Sequence, residues 1–209
     1  MQKKFVVILL VLVGIMVNCD ITKAAPTTYG PTGLIDVPSA DVMRSNQMEI
    51  GYYHLNTAAY EVIAVPLFRS FEMSGAVRDE NNIHTLKTFN LKYSLEQEGV
   101  FTPGIAMGVD DIADNDNTAA YLVLSKALPF GLRIHTGIGT MRYKHGFAGL
   151  ETRLIPLSKG GEFPDLSFMV EHIDKKTSYG FRLATAKGLQ FTAGWRDKKS
   201  FWGITYTVP

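Results

Sequence analysis

The sequence predicts an all-β fold: an antiparallel up-and-down (meander) β-barrel of about 10–12 strands, of the transmembrane type. Three observations predict it. Apolar and polar residues alternate with period two, as in Leu132 to Thr140, where Leu132, Ile134, Thr136 and Ile138 share one face and Arg133, His135, Gly137 and Gly139 the other. Such runs recur at short intervals, separated by turn residues. Between them no amphipathic helix of convincing length intervenes. Strands of about nine residues with short turns account for the predicted strand number.

Taken in order, the 209-residue chain opens with Lys3 and Lys4 ahead of an apolar run from Phe5 to Val17, followed by small residues at Ala24 and Ala25. That run is too short for a spanning helix and reads as a signal peptide over residues 1–25, cleaved near Ala25. Cys19 follows Asn18, whereas a lipid-attachment box prefers a small residue there. Residues 26–46 are rich in Pro, Gly, Ser and Thr and read as a structured lead-in to the first strand; the sharper alternative is a segment tucked into the barrel mouth. Residues 47–209 then form the barrel. Met48, Ile50 and Tyr52 alternate with Glu49 and Gly51; Phe71, Met73 and Val77 with Glu72, Ser74 and Arg78; Phe89, Leu91, Tyr93 and Leu95 with Asn90, Lys92, Ser94 and Glu96. Ile105, Met107 and Val109 oppose Gly104, Ala106, Gly108 and Asp110. Further on, Leu150 and Leu154 oppose Gly149, Glu151 and Arg153, Tyr179, Phe181 and Leu183 oppose Gly180, Arg182 and Ala184, and Leu189, Phe191 and Trp195 oppose Gln190, Thr192, Gly194 and Arg196. Two runs are less regular. Pro66 interrupts Val62 to Phe68 and marks an edge, a bulge or a strand end. Ala120 to Leu128 is apolar on both faces.

Composition narrows the chemistry. A net charge of +1 gives no basic field for nucleic acid. The only cysteine lies in the leader, so the mature chain has no disulfide, thiolate or Cys-based zinc chemistry. Asp110, Asp111, Asp114 and Asp116 lack the glycine and distal glutamate of an EF-hand and read as a solvated turn. Gly30-Pro31-Thr32-Gly33 lacks the lysine of a phosphate loop. The histidines His54, His84, His135, His145 and His172 have no metal-ligand spacing. No catalytic residue, metal site or cofactor is assigned.

Alternation alone does not say which face points outward. The leader supplies an outer-membrane address. Tyr52, Tyr53, Tyr93, Tyr179, Trp195, Trp202 and Tyr206 recur near run ends, as in the aromatic girdles of membrane barrels. The last strand, Phe201 to Val208, carries Gly203, Tyr206 and Val208 in an alternating pattern, although Phe201 stands where a polar residue is usual. With the apolar face outward, the lumen holds Glu49, Lys92, Arg133, Glu151, Arg153, Glu171, Arg182 and Arg196. Acids and bases are mixed, which favours a filled or very narrow lumen of mutually paired side chains over a wide pore.

The segment GPTGLIDVPSA (Gly30 to Ala40) resembles the opening of YjbH-like proteins, outer-membrane β-barrels linked to exopolysaccharide production. GIAMGVDDI (Gly104 to Ile112), AYLVLSK (Ala120 to Lys126), HTGIGT (His135 to Thr140), FAGLE (Phe147 to Glu151) and MVEHID (Met169 to Asp174) follow in the family's order. The chain departs from the pattern at Ala113 to Asn117, where a glycine-rich turn is usual, and reads as a single barrel. The resemblance implies a non-enzymatic outer-membrane barrel that assists export or surface assembly of an exopolysaccharide, with membrane lipid, polysaccharide and other envelope export proteins as partners. A soluble extracytoplasmic barrel or sandwich that binds a ligand or protein is the alternative. A hydrolase whose Ser and His meet only in the fold is a third reading.

Overall fold

A computed structural model describes residues 25–80, 84–113, 115, 117–155 and 164–208. The leader, Asp114 and Asp116 therefore lie outside the described residues. Two short strands, β1 (Ala25–Pro26) and β2 (Thr32–Gly33), pair with each other in the N-terminal segment. Twelve longer strands follow: β3 (Met48–Leu55), β4 (Ala58–Phe68), β5 (Phe71–Glu80), β6 (His84–Glu96), β7 (Gly104–Asp110), β8 (Ala119–Ala127), β9 (Leu132–Gly139), β10 (Phe147–Ile155), β11 (Asp165–Ile173), β12 (Lys176–Ala184), β13 (Leu189–Arg196) and β14 (Lys199–Val208).

Each of these twelve pairs antiparallel with the next, and β14 returns to β3 in a register running from Phe201↔Leu55 to Val208↔Met48. The result is a closed meander barrel with no free edge. Local chemistry explains the connections. Asp174-Lys175 and Asp197-Lys198 are two-residue turns in which every residue has positive φ (45°, 66°, 48° and 67°). That conformation matches the twist of the flanking strands. Pro66, which cannot donate to the ladder, lies where the β4–β5 register slips between Pro66 and Phe68.

The apolar face points outward. Ile134 and Ile138 of β9 are exposed, Ile138 to 61%, while Arg133 and His135, on either side of Ile134, are buried. In β8 the exposed Leu122 and Leu124 alternate with the buried Tyr121, Val123 and Ser125. That strand is apolar on both faces because its inner face meets apolar residues of the N-terminal segment: Val37 and Ala40 cluster with Tyr121, Val123, Tyr143 and Phe147. A second inner cluster joins Leu34 and Ile35 to Tyr53, Tyr60, Val62, Met169 and Phe201. Large rings fit inside because small residues face them. A Cβ at Gly203 would overlap the Tyr53 ring, and one at Gly108 the Tyr121 ring.

The structure departs from the sequence expectations at three points. Residues 31–40 are buried throughout, so the stretch read as a lead-in to the first strand runs through the barrel interior. Tyr53 is not a girdle residue: it points inward and donates its hydroxyl to the Pro26 carbonyl at 2.6 Å. Asp110 and Asp111 are buried rather than part of a solvated turn. Tyr179, Trp195, Trp202 and Tyr206 do lie on the outer surface, with Tyr179 stacked on Trp195 at 5.4 Å.

The outward face gives a direct test. Ile138→Ala should leave equilibrium unfolding in lipid nearly unchanged, far below the ~2–5 kcal/mol of a truncation in a packed core. Ile134→Arg should cost roughly 2–4 kcal/mol, since it sets a charge against the hydrocarbon. Denaturant titrations of the barrel refolded into vesicles measure both.

A candidate functional site in the filled lumen

The lumen is organised around residues 25–43, which run through the barrel and are held by side chains from strands around its circumference. The segment has little regular structure, so most of its backbone donors and acceptors need partners from elsewhere. Inward-facing charges supply them. The Glu171 carboxylate on β11 accepts the backbone N–H groups of Ile35 (3.1 Å), Asp36 (2.9 Å) and Val37 (3.0 Å). Opposite in sense, the Arg182 guanidinium on β12 donates to the Leu34 carbonyl at 2.7 Å and reaches the Gly33 carbonyl at 3.3 Å. One carboxyl group thus accepts from three consecutive donors, and a cation holds the acceptors just before them.

Across the barrel, Glu72 on β5 accepts the Thr32 N–H (2.8 Å), the Thr32 hydroxyl (2.7 Å) and the Met43 N–H (3.0 Å). Lys92 on β6, its cross-strand partner, lies 3.2 Å from Glu72 and donates to the Thr32 carbonyl at 3.0 Å. Both side chains are fully enclosed. Ser125 accepts the Ala40 N–H at 2.8 Å and sits 2.7 Å from His135 Nδ1. Arg133 grips Asp41 with two parallel bonds of 2.6 and 2.7 Å and also binds Glu98 at 2.8 Å. Burial raises the Asp41 pKa, but the Arg133 guanidinium outweighs it and holds the carboxyl below its ordinary value of 3.8.

At the far mouth the segment ends in an aromatic latch. The Tyr29 ring has the Arg142 guanidinium 3.7 Å from its centroid, and its hydroxyl accepts from Arg196 at 3.0 Å. Arg196 also binds Asp36 at 2.5 Å and the Tyr60 hydroxyl at 3.1 Å. Arg142 is in turn tied to Asp110 and Tyr143.

All eight charges expected from the alternation lie on the inward side of their strands, but their partners differ from the expectation. Glu171, Arg182, Arg133, Lys92 and Arg196 are engaged chiefly by the N-terminal segment, not by one another. Glu151 is the direct cross-strand neighbour of Arg133. Arg153 instead pairs with Asp165 at 3.3 Å near the strand ends. Glu49 accepts from Thr207 at 2.6 Å and from Gln190 at 3.3 Å. Sequence reasoning missed Glu72, Asp36, Asp41 and Tyr29. Glu72 was detectable, because it falls in the same phase as Ser74 on a recognised strand. The other three lie in an aperiodic stretch where no alternation reports the direction of a side chain. Among the described residues no group of three or more His, Cys, Asp or Glu side chains is placed to hold a metal ion.

Comparison with known proteins adds a family and a shape. A model of the YjbH family, described as exopolysaccharide biosynthesis protein YbjH, matches residues 25–165. No curated protein matches the chain. Among solved structures, a KdgM porin superposes with a TM-score of 0.57 at 10% identity, covering 78% of this chain and 98% of the porin. A KdgM porin in complex with disordered oligogalacturonate superposes equally well, at 9% identity over the same shares. At such identity the likeness concerns the fold.

The anchoring network yields two measurable outcomes. Glu171→Ala removes one acceptor from three buried N–H groups, at roughly 1–3 kcal/mol for each group left unsatisfied. Amide exchange at residues 35–37 should accelerate while the strand amides stay protected; unchanged exchange would count against the assignment. Asp41 and Arg133 should show a coupling of roughly 0.5–3 kcal/mol in a double-mutant cycle. Because the Asp41 pKa is lowered in the fold, that contribution is complete above the ordinary value of 3.8 and disappears as the pH falls through the lowered one. Protection of the Ala40 to Met43 amides, corrected for intrinsic exchange, should therefore be the same at pH 7 and pH 5 and should fall only in stronger acid.

Proposed function

Since the chain belongs to the YjbH family of exopolysaccharide biosynthesis proteins, we propose that it is a non-enzymatic outer-membrane barrel assisting export or surface assembly of an exopolysaccharide. In this reading residues 1–25 direct export, residues 26–46 close the barrel, and residues 47–209 form its wall. Lipid surrounds the wall, and polysaccharide and other envelope export proteins are its partners. The observation that carries the reading is a polar lumen occupied by a segment of the same chain. Glu171, Arg182, Lys92, Arg133 and Arg196 hold that segment by hydrogen bonds and ion pairs, each of which water or sugar hydroxyls can replace.

The chemistry of the lumen suits such an exchange. Its mixed charges, with Glu49, Glu151 and Arg153 alongside those anchors, present donors and acceptors without a strong net field. A polyhydroxylated chain makes the same kinds of bonds as the peptide backbone now in place. With the segment bound, the barrel is closed to bulk flow; with it withdrawn, the same side chains line the route.

The alternatives find less support. A soluble barrel would leave Phe181, Phe191, Ile204 and Leu122 facing water around its whole girth. The hydrolase reading would use Ser125 and His135, yet the Ser125 hydroxyl is buried and accepts the Ala40 N–H beneath the segment.

The test pairs physiology with electrophysiology. Cells lacking the protein should display less surface polysaccharide, and the intact barrel should restore it. In planar bilayers the intact barrel should give little steady conductance, and a refolded chain without residues 26–43 should give a stable, larger one. Undiminished polysaccharide in the deletion strain would overturn the functional assignment. A wide steady pore in the intact protein would overturn the closing role of the segment.

A further inference from the structure

The two rims of the barrel differ in a way that the lumen does not explain. At the rim where β4 turns into β5, β6 into β7 and β8 into β9, the turns end in large apolar side chains. Phe68 is 74% exposed, Phe101 92% and Phe130 80%. These three turns are consecutive around the wall, because the strands are neighbours in chain order. Among the other described residues of that rim the chain offers Arg44-Ser45-Asn46-Gln47 and Thr185-Ala186-Lys187-Gly188. Among the described residues the opposite rim is built mainly of polar tips such as Asn56-Thr57, Asp174-Lys175 and Asp197-Lys198, with Ile112 and Met141 only half exposed.

Two of the three phenylalanines are held out by ordered backbone. Lys126 binds the carbonyls of Gly99 (2.6 Å), Val100 (2.9 Å) and Thr102 (3.3 Å), which ties that loop to β8 with Phe101 exposed at its tip. Glu98 fastens the base of the loop by accepting the Ala127 N–H at 2.5 Å and binding Arg133. Phe130 has φ of 67°, a left-handed conformation unfavourable for an aromatic residue, within a turn closed by the Leu128 N–H on the Leu132 carbonyl. The third is continuous with the lipid-facing wall. Phe68 packs on Phe71 with centroids 6.5 Å apart, and Phe71 on Tyr93 at 4.5 Å, both on the outer surface.

We infer that this arc of the rim, carried by Phe68, Phe101 and Phe130, inserts into the headgroup region of the bilayer and seats the barrel asymmetrically. Phenylalanine rings at a membrane surface bury to the boundary between headgroups and acyl chains. At Phe68 the arc runs into the apolar outer wall through Phe71 and Tyr93, so the bilayer is the occupant its geometry favours. Insertion on one arc alone lowers that side of the barrel relative to the other and sets its tilt.

Depth measurements test this. Phe101→Trp, Phe130→Trp and, as the polar-arc control, Lys187→Trp are each made in a Trp195→Phe/Trp202→Phe background, so that each protein carries a single tryptophan. The barrels are refolded into phosphatidylcholine vesicles, with folding checked by mobility on unheated gels. Lipids brominated near the headgroup should quench the Phe101→Trp and Phe130→Trp proteins several-fold more than the Lys187→Trp protein, with blue-shifted emission from the first two. Water-like, unquenched emission at both tip positions would overturn the inference and turn the arc over to a soluble protein partner. Equal quenching at all three positions would overturn the asymmetry. Should the altered background fail to refold, a nitroxide at Phe101→Cys in a Cys19→Ser chain reads the same depth by oxygen collision: lipid-like accessibility supports insertion, and aqueous accessibility overturns it.

Discussion

The demand that every polar group inside the barrel find a partner governs this structure. The strands satisfy their own backbones by closing on one another, from β3 round to β14 and back. Their inward side chains gain nothing from that closure. Glu171, Glu72, Lys92, Arg133 and Arg182 point into a confined space where an uncompensated charge is costly. The N-terminal segment has the complementary difficulty, a run of backbone groups without a sheet or helix to absorb them. Each solves the other's problem. One carboxylate takes three successive N–H groups, one guanidinium takes the carbonyls before them, and Glu72 with Lys92 brackets Thr32 from both sides.

Around these polar anchors the packing is conventional. Leu34 and Ile35 belong to one apolar cluster and Val37 and Ala40 to another, so the segment also supplies the interior with hydrophobic contacts that the wall alone would lack. The wall yields space where rings lie flat against it, at Gly108 beneath Tyr121 and Gly203 beneath Tyr53. The interior is therefore an amphipathic mixture, whereas the exterior is plainly apolar. That contrast separates a membrane barrel from a soluble one, whose grease lies within.

The occupied lumen also reconciles the fold with its family. A barrel whose interior is held by exchangeable hydrogen bonds and ion pairs is closed without being sealed by a covalent or purely apolar core. Withdrawing the segment, as proposed above, would exchange its polar partners for water or sugar hydroxyls and would also uncover Leu34, Ile35 and Val37 from the two apolar clusters.

Most of the wall was legible from residue order. Period-two alternation identified strands such as Leu132 to Thr140 and placed Arg133 and His135 opposite Ile134 and Ile138, because a pleated strand sends successive side chains to opposite sides regardless of context. It likewise placed Glu49, Lys92, Arg133, Glu151, Glu171 and Arg182 on the face that is buried. What those charges touch was not legible, since partners such as Asp41 and Arg133 are far apart in the chain and meet only when the ring closes. Tyr53 was assigned to the surface because aromatic residues near strand ends serve both girdles and interiors; its phase, one residue after Tyr52, decides for the interior. By itself, then, the amino-acid order determined the strands, their faces and the type of barrel, all of which depend on local periodicity. The tertiary structure alone decided that residues 25–43 lie within, because an aperiodic segment has no face of its own, and only the closed wall supplies the donors, acceptors and apolar surfaces that give it a place.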